Sequence, residues 1–323
     1  MIRTFLMASA SAFLVLAIPA HAQTKWPESI IKLVVPFPPG GNVDVAARIV
    51  GEKMQELLGQ PVIVENKPGA GGMVAGEFVA RSQPDGYTLF VGANGPILFA
   101  PELAGKRAYE WRKDFIPIST ISVTPIVLQV HPGVPAKTLI EFFELVKQQP
   151  GKLNMASPGV GTSNHLMSEL MQSRLGLSWV TVQYRGNAPA TNDLIGGQVQ
   201  FNLDQLSVAQ PFIKDGKTRA LAVTGDKRWP SLPDVPTFKE AGHPEIEGLT
   251  FTALMAPAKT PEAIITKLSD TLEKVLADPG VKAKFDGIGA EARSMTRAAF
   301  TSYLEKEDAT WIPVIRAGNI RLQ

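Results

Sequence analysis

The stretch LVVPFPPGGNVDV, residues 33–45, decides the class of fold. It continues an apolar run of strand length that begins at Ile30, and the residues after its glycines are apolar at helical spacing up to Gly59. The same succession of strand, loop and helix returns in residues 61–93 and several times between about 120 and 225. Buried strands that alternate with helices predict an α/β fold built on parallel sheets.

The loops at the ends of these strands have the design of anion sites. A strand that ends in a Gly-rich turn and opens a helix directs free backbone N–H groups and the positive end of the helix dipole at one point. Residues 33–45 have this design, SPGVGTSNHL at 157–166 repeats it, and QYRGNAPA at 183–190 and GANGP at 92–96 are further loops of this kind. At the carboxyl ends of parallel strands such loops face a crevice. The crevice could hold a phosphate, a carboxylate or no ligand.

Two incomplete nucleotide-binding motifs argue against a phosphate. Residues 69–74 resemble a dinucleotide fingerprint, but Val74 stands where the motif needs a small residue. Gly216-Lys217-Thr218 has the end of a P-loop, but Pro211 occupies the place of its first glycine. A carboxylate is therefore the favoured anion.

Ser163 and His165 raise the alternative of an exported hydrolase. They are neighbours in sequence, yet the stretch around them, GTSNH, lacks the G-x-S-x-G nucleophile elbow. Glu169 follows His165 by one helical turn, a spacing that can ligate a metal, but no third ligand motif accompanies the pair. We expect His165 to hydrogen-bond locally or to reach the ligand, and we expect neither a metal nor a cofactor.

The composition excludes several classes of protein. The chain has 323 residues and no cysteine, which excludes thiolate catalysis, disulfides and cysteine-ligated metal. Its 32 Lys and Arg residues nearly balance 30 Asp and Glu residues, and no basic stripe is visible. Nucleic acid is therefore not an expected partner.

Residues 1–22 predict export. Arg3 precedes an apolar run from Phe5 to Ile18, and Ala20-His21-Ala22 follows, which is the pattern of a secretory signal peptide cleaved before Gln23. The alternative, a membrane anchor, needs a longer apolar run. An export signal on a chain without cysteines suits a Gram-negative periplasm.

Several longer stretches resemble a known family in their order and spacing, and together they cover nearly all of the chain after the signal peptide. They read VVPFPPGGNVDVAARIV, PVIVENKPGAGG, VARSQPDGYTLFVG, DFIPIS, PGKLNMASPGVGTSNHL, YRGNAPATNDLIGGQV and RALAVTGDKRWPSLPDVPTFKEAG. The chain is similar to the Bug-type periplasmic solute receptors, the substrate-binding proteins of tripartite tricarboxylate transporters.

The resemblance implies a two-lobed periplasmic-binding-protein (Venus-flytrap) fold of α/β class, in which each lobe is a sheet flanked by helices. Residues 23–125 and 226–323 would form lobe 1, residues 126–225 would form lobe 2, and the ligand would lie in the interlobe cleft. The implied protein is a monomeric receptor, not an enzyme.

The resemblance also implies a role in transport. The receptor would capture a small carboxylate and deliver it to the membrane permease subunits of a tripartite tricarboxylate transporter. The ligand would be a di- or tricarboxylate, an acidic amino acid or an aromatic acid. A solute sensor that feeds a signalling protein remains an alternative to transport.

The expected ligand-binding residues lie on the strand-end loops or at the end of a strand. They are Phe37, Pro38, Gly40, Gly41, Asn42, Asp44 and Asn94 on lobe 1, and Ser157, Gly159, Gly161, Thr162, Ser163, His165, Tyr184, Arg185, Gly186 and Asp204 on lobe 2. A carboxylate at the end of strand FNLD either caps the next helix or meets the ligand. Asn42-Val43 and Gln183 depart from the family pattern in pocket-facing loops, which leaves the substrate open.

Overall fold

The computed structural model describes residues 26–105 and 108–317, so the predicted signal peptide lies outside the described residues. The strands are β1 Ile31–Val35, β2 Val62–Asn66, β3 Thr88–Ala93, β4 Phe115–Val130, β5 Asn154–Ser157, β6 Val180–Gln183, β7 Phe201–Gln205, β8 Arg219–Val223, β9 Leu249–Pro257 and β10 Glu291–Ala292. The helices are α1 Asn42–Leu58, α2 Met73–Ala80, α3 Ala100–Leu103, α4 Trp111–Asp114, α5 Leu139–Gln148, α6 Ser163–Leu175, α7 Asn187–Ile195, α8 Leu206–Lys214, α9 Glu262–Ala277, α10 Pro279–Gly287 and α11 Arg297–Ala317. A 3₁₀ turn at Ala70–Gly72 precedes α2, and a π-helical turn at Gly95–Phe99 follows β3.

One long strand, β4, joins two halves of the molecule. The strand order is β2-β1-β3-β9-β4-β7-β5-β6, with β8 and β10 also paired to β4. Residues 115–125 of β4 pair with β9, whereas residues 126–130 pair with β7 and β8. We call the part built on β1, β2, β3, β9 and β10 the first half, and the part built on β5 to β8 the second half.

The predicted parallel pairing is correct in part of each half. Strand β1 lies parallel between β2 and β3, and β5 lies parallel between β6 and β7. Strands β4 and β9 are antiparallel to their neighbours, which the prediction of parallel sheets missed. The carboxyl ends of β1, β2 and β3 therefore meet at one edge, and those of β5, β6 and β7 meet at another.

The core of the first half explains the apolar spacing after residue 45. Ala46, Val50 and Met54 lie four residues apart on α1 and are buried with Leu33 of β1 in one cluster. Burial of each such Val, Leu or Met side chain contributes roughly 1.5–3 kcal/mol. Helix α1 ends at Gly59 because this residue adopts a left-handed φ of 68°, which glycine accepts without strain.

The core of the second half is aromatic. The rings of Phe142 and Phe201 meet edge to face with centroids 4.8 Å apart, and Trp179 packs on Phe201 at 5.1 Å. Residues from the Pro-rich passage 226–248 join this half, since Phe238 and Ile246 are buried in the same cluster. The lobe boundary near residue 226 stays a prediction, and this packing favours a return to the first half at about Gly248.

The described residues also bear on membrane insertion. Among them, no helix is both long enough and apolar enough to cross a bilayer.

Candidate functional site

A cleft of about 550 Å³ opens where the strand-end loops of the two halves face each other. The first half contributes residues 36–38 after β1 and residues 68–72 after β2. The second half contributes residues 158–162, except Gly161, after β5 and residues 183–186 at the end of β6. A concave site of this size between two lobes is typical of small-molecule binding.

Helix starts lie at this cleft or next to it. Helices α2 and α7 begin after Gly72 and Gly186, which line it, and α1 begins after Gly41, so three helices start at a residue with no side chain that could cap them. Helix α6 begins after Thr162, whose Oγ1 accepts a hydrogen bond from the His165 amide at 3.3 Å. The first-turn N–H groups of a helix have no partner within the helix. Such groups bind an anion well, because the helix dipole adds a positive potential at the same point.

A smaller recess adjoins the cleft, and Phe37, Pro158 and Thr162 line both spaces. Its further lining is rich in amide and hydroxyl groups, and includes Asn42, Ser163, Asn164, Asn187 and Gln205. Amide side chains can donate and accept, so this recess can bind either a carboxylate oxygen or a ligand hydroxyl.

Asp204 lies beneath the recess and is buried. Its Oδ1 accepts from Asn187 Nδ2 at 2.5 Å and from the Gln205 amide at 2.9 Å, and its Oδ2 accepts from Thr191 Oγ1 at 3.1 Å. Burial raises the pKa of the Asp204 carboxyl to about 7, although these hydrogen bonds and one from Asn164 lower it. The carboxyl group therefore holds the first residues of α6 and α7 in place from below.

Asp44 shapes the opposite loop in a similar way. Its carboxylate accepts from the Gly40 amide at 2.9 Å, from Asn66 Nδ2 at 2.9 Å and from two nitrogens of Arg48 at 2.9 Å. Burial alone would raise the pKa of Asp44, but the hydrogen bonds and the Arg48 charge lower it overall. Asn66 Nδ2 also donates to the Phe37 carbonyl at 2.8 Å, so this network fixes the loop between β1 and α1.

His165 is buried at the start of α6. Its Nδ1 accepts from the Gly161 amide at 3.4 Å, and its Nε2 lies 3.8 Å from Glu169 Oε1. Burial lowers the pKa of His165 to about 4 and raises the pKa of Glu169. A neutral imidazole with both nitrogens facing these groups supports the loop locally.

The structure brings many of the predicted ligand residues together. Those that line the cleft are Phe37, Pro38, Gly159, Thr162, Tyr184, Arg185 and Gly186. Asn42 and Ser163 line the recess. The remaining predicted residues are not among the lining residues of either space: Gly40, Gly41, Asp44, Asn94, Ser157, Gly161, His165 and Asp204. All of these ligand assignments stay predictions.

Asn94 has a place in the first half that sequence did not indicate. Its Nδ2 donates to Glu307 Oε2 at 2.9 Å, and its Oδ1 accepts from the Phe251 amide at 2.9 Å. Burial raises the pKa of Glu307, and the hydrogen bond from Asn94 opposes that rise. Asn94 thus connects the loop after β3 to α11 and β9.

Sequence reasoning missed two parts of the lining. The loop at residues 68–72 follows β2, which lies parallel to β1, so the rule applied to the loop after β1 predicts its position equally well. The positions of Asn187 and Gln205 carry no comparable signal in the sequence. A polar residue at a helix start or strand end is a structural cap as frequently as it is a ligand contact.

Metal binding finds no support in the same part of the chain. Across residues 26–105 and 108–317, no three His, Cys, Asp or Glu side chains are grouped so that they could hold a metal ion.

Comparison with known proteins assigns the family. Residues 46–320 match the model of the tripartite tricarboxylate transporter family receptor. The chain belongs to this receptor family. It is 33% identical to the protein BugT of Bordetella pertussis over 309 residues, which covers 95% of this chain and 94% of BugT. The predicted membership of the Bug-type receptors is confirmed.

Solved structures agree with the fold of the receptor. The periplasmic binding protein BugD matches with a TM-score of 0.88 and 35% identity, over 92% of this chain and 100% of BugD. An R. palustris protein solved with adipate has a TM-score of 0.88 and 32% identity, over 92% of this chain and 99% of that one. MatC from Rhodopseudomonas palustris, solved with bound malate, has a TM-score of 0.85 and 34% identity, over 90% of this chain and 100% of MatC.

These matches confirm the two-lobed periplasmic-binding-protein fold and the absence of an enzymatic role, because the family and its structural neighbours are solute-binding receptors. The hydrolase alternative is therefore wrong. The chain is thus a carboxylate-binding periplasmic receptor.

Proposed function

We propose that the receptor captures a small dicarboxylate in the cleft between its halves and presents it to the permease subunits of a tripartite tricarboxylate transporter. The observation that carries this proposal is the convergence of helix starts on the cleft and its recess. Helices α2 and α7 start after glycines that line the cleft, and the first residues of α1 line the recess. One carboxylate of the ligand would accept from first-turn N–H groups of these helices. Two positions cannot contribute, because the Met73 amide already donates to the Ala70 carbonyl and Pro189 has no N–H. The two halves would close around it.

The outer part of the cleft suits a second carboxylate at the far end of an apolar body. Arg185 is exposed and is the single charged side chain among the described residues that line the cleft. Phe37, Pro38 and Tyr184 supply apolar wall, and the Tyr184 hydroxyl donates to Asp193 Oδ2 at 2.6 Å, which fixes its ring. A dicarboxylate would reach from the helix starts to the guanidinium group.

The structural neighbours support the same class of ligand. The R. palustris protein carries adipate and MatC carries malate. Both are dicarboxylates, and they differ in chain length. We therefore propose dicarboxylates first, and tricarboxylates, acidic amino acids and aromatic acids as further classes to be tested.

A thermal-shift panel tests the proposal. The purified receptor is heated with malate, adipate, citrate, glutamate, terephthalate, acetate and benzoate, with dimethyl adipate as the uncharged control. A ligand at about 100 times its Kd adds about 2.7 kcal/mol to the free energy of unfolding, so the true ligand raises Tm clearly. A panel in which no carboxylate raises Tm more than dimethyl adipate would contradict the proposal.

Replacing Arg185 by glutamine should weaken the dicarboxylate selectively. An exposed charge-assisted contact is expected to be worth about 1 kcal/mol, so Kd for the best dicarboxylate should rise about fivefold, with a smaller dependence on salt concentration. The Kd for a matched monocarboxylate should stay unchanged. Isothermal titration at two ionic strengths measures both, and Arg174→Gln, outside the cleft, is the control. Equal losses for the two ligands would contradict a role for Arg185 at the second carboxylate.

We assign residues 26–125 and the chain from about Gly248 onward to lobe 1, and the intervening residues to lobe 2, in a monomer located in the periplasm.

Transport and sensing differ in their output. Loss of ligand uptake in a strain that lacks this receptor supports delivery to a permease, whereas normal uptake with a lost transcriptional response supports the sensor.

A further inference from the structure

Asn42 connects the two halves at the edge of the recess. It is the first residue of α1, in the first half, and its side chain accepts at Oδ1 a hydrogen bond of 2.6 Å from Ser207 Oγ. Ser207 lies in the first turn of α8, in the second half. Asn42 and Ser207 are 5% and 6% exposed, so this contact between halves is closed to solvent.

The other end of the Asn42 side chain is anchored within the first half. Its Nδ2 donates to Thr252 Oγ1 on β9 at 3.3 Å. Thr252 is itself buried, and its position in the sheet is fixed by pairing with β3 and β4. This second bond holds the amide plane so that Oδ1, the acceptor, points at the second half.

Close backbone packing surrounds this contact. A β-carbon on Gly41 would lie 3.0 Å from Asn187 Oδ1, and a β-carbon on Gly186 would lie 3.2 Å from Pro38 Cδ. Both pairs join one half to the other. The hydrogen bond of Asn42 therefore belongs to a state in which the halves are in contact.

We propose that Asn42 and Ser207 form a latch that stabilises the closed state of the receptor and thereby sets its ligand affinity and release rate. Asn42 is a positioning residue in this role, because both polar atoms of its amide are occupied by protein groups. The effect on affinity rests on the proposed function, whereas the effect on closure does not depend on which ligand binds.

The physical reason is a difference between the open and closed states. When the halves separate, water replaces Ser207 at Asn42 Oδ1, and one protein hydrogen bond is lost. When the halves close without Ser207 Oγ, the buried Oδ1 has no donor, which disfavours closure. A ligand that needs the closed state then binds more weakly in proportion to the population that is lost.

The absence of cysteine from the sequence makes closure easy to measure. Cysteines introduced at exposed Val74 in the first half and exposed Ile140 in the second half carry spin labels at two unique positions. Pulsed EPR then gives the distance distribution between halves with and without ligand. The distributions are compared in Ser207→Ala, Thr252→Val and the matched control Ser168→Ala, whose hydroxyl accepts from Trp179 Nε1 within the second half.

We expect Ser207→Ala and Thr252→Val to shift the ligand-free distribution towards the open state, and to raise Kd about three- to tenfold through faster release. Ser168→Ala should lower Tm without changing the ligand-free distance distribution. If neither latch variant changes the distribution while both remain folded, the latch is refuted. If no carboxylate binds the wild type, the proposed function fails, and the ligand-free distributions still decide the latch.

Discussion

Replacing Gly95 by alanine should reduce ligand affinity by about 5- to 150-fold while the chain still folds. A β-carbon on Gly95 would lie 2.7 Å from the Gly161 carbonyl oxygen and 3.3 Å from the Thr162 Cα. Gly95 follows β3 in the first half, and Gly161 precedes α6 in the second half. Because the obstructing atoms are backbone, no side-chain rotation can relieve the overlap, and the halves must stay apart.

The fold should tolerate this substitution. Gly95 lies in a helical turn without a left-handed φ, so alanine meets no local strain and lowers the entropy of the unfolded chain. Opening of the cleft also removes the overlap between Gly95 and Gly161, so the chain does not need to unfold to relieve it. We therefore expect the ligand-free Tm to change little, whereas the Tm increase caused by ligand should nearly vanish.

Gly287→Ala provides the matched control. Gly287 is also helical and non-left-handed, but a β-carbon there meets no atom within 4 Å. This variant should bind as the wild type does in isothermal titration, and its Tm should stay the same or rise. Wild-type affinity in Gly95→Ala would show that the contact between Gly95 and Gly161 is absent from the ligand-bound state.

The sequence predicts the location of the cleft well because that location follows from topology. Loops at the carboxyl ends of parallel strands must share an edge, so Phe37, Gly159 and Tyr184 come together although they are far apart in the chain. The continuity of β4 across both halves was not predicted. Its first part contains Pro117 and Ser119, which break the apolar pattern of a strand, and its pairing with β9 is antiparallel.

The sequence cannot separate a side chain that touches the ligand from one that holds a loop. Asp44 lies in the first turn of α1, and Asp204 lies near the end of β7, and both positions are compatible with either role. Only the three-dimensional contacts show that backbone and side-chain donors already surround both carboxyl groups. Asn42 is similar, since its partners Thr252 and Ser207 are far from it in sequence.

Asp204 should make the receptor less stable as the pH rises from about 4 to about 7. Burial raises the pKa of its carboxyl from 3.8 to about 7, so in this range the folded state binds more protons than the unfolded state. The stability due to this group is fully present below pH 3.8 and is lost as the pH passes through about 7. The slope can reach about 1.4 kcal/mol per pH unit.

Asp204→Asn isolates this effect. The amide keeps one oxygen for the donors of Asn187 and the Gln205 backbone. Its new NH₂ group can meet the Oδ1 of Asn202, which lacks a hydrogen-bond partner among the described residues and can turn to accept. The variant should therefore fold, and the stability advantage of the wild type over it should shrink by about 2–3 kcal/mol between pH 5 and pH 8.

Urea unfolding at half-unit steps of pH measures this difference, and Asp44→Asn is the matched control because the pKa of Asp44 is shifted in the opposite direction. The stability that Asp44 provides is present above its unfolded pKa of 3.8 and is lost only as the pH falls through its lower folded value. Between pH 5 and pH 8 the difference in free energy of unfolding between the wild type and Asp44→Asn should therefore be constant. A wild-type advantage over Asp204→Asn that is equally constant would mean that the Asp204 carboxyl is already ionised at pH 5, and that its hydrogen bonds outweigh its burial.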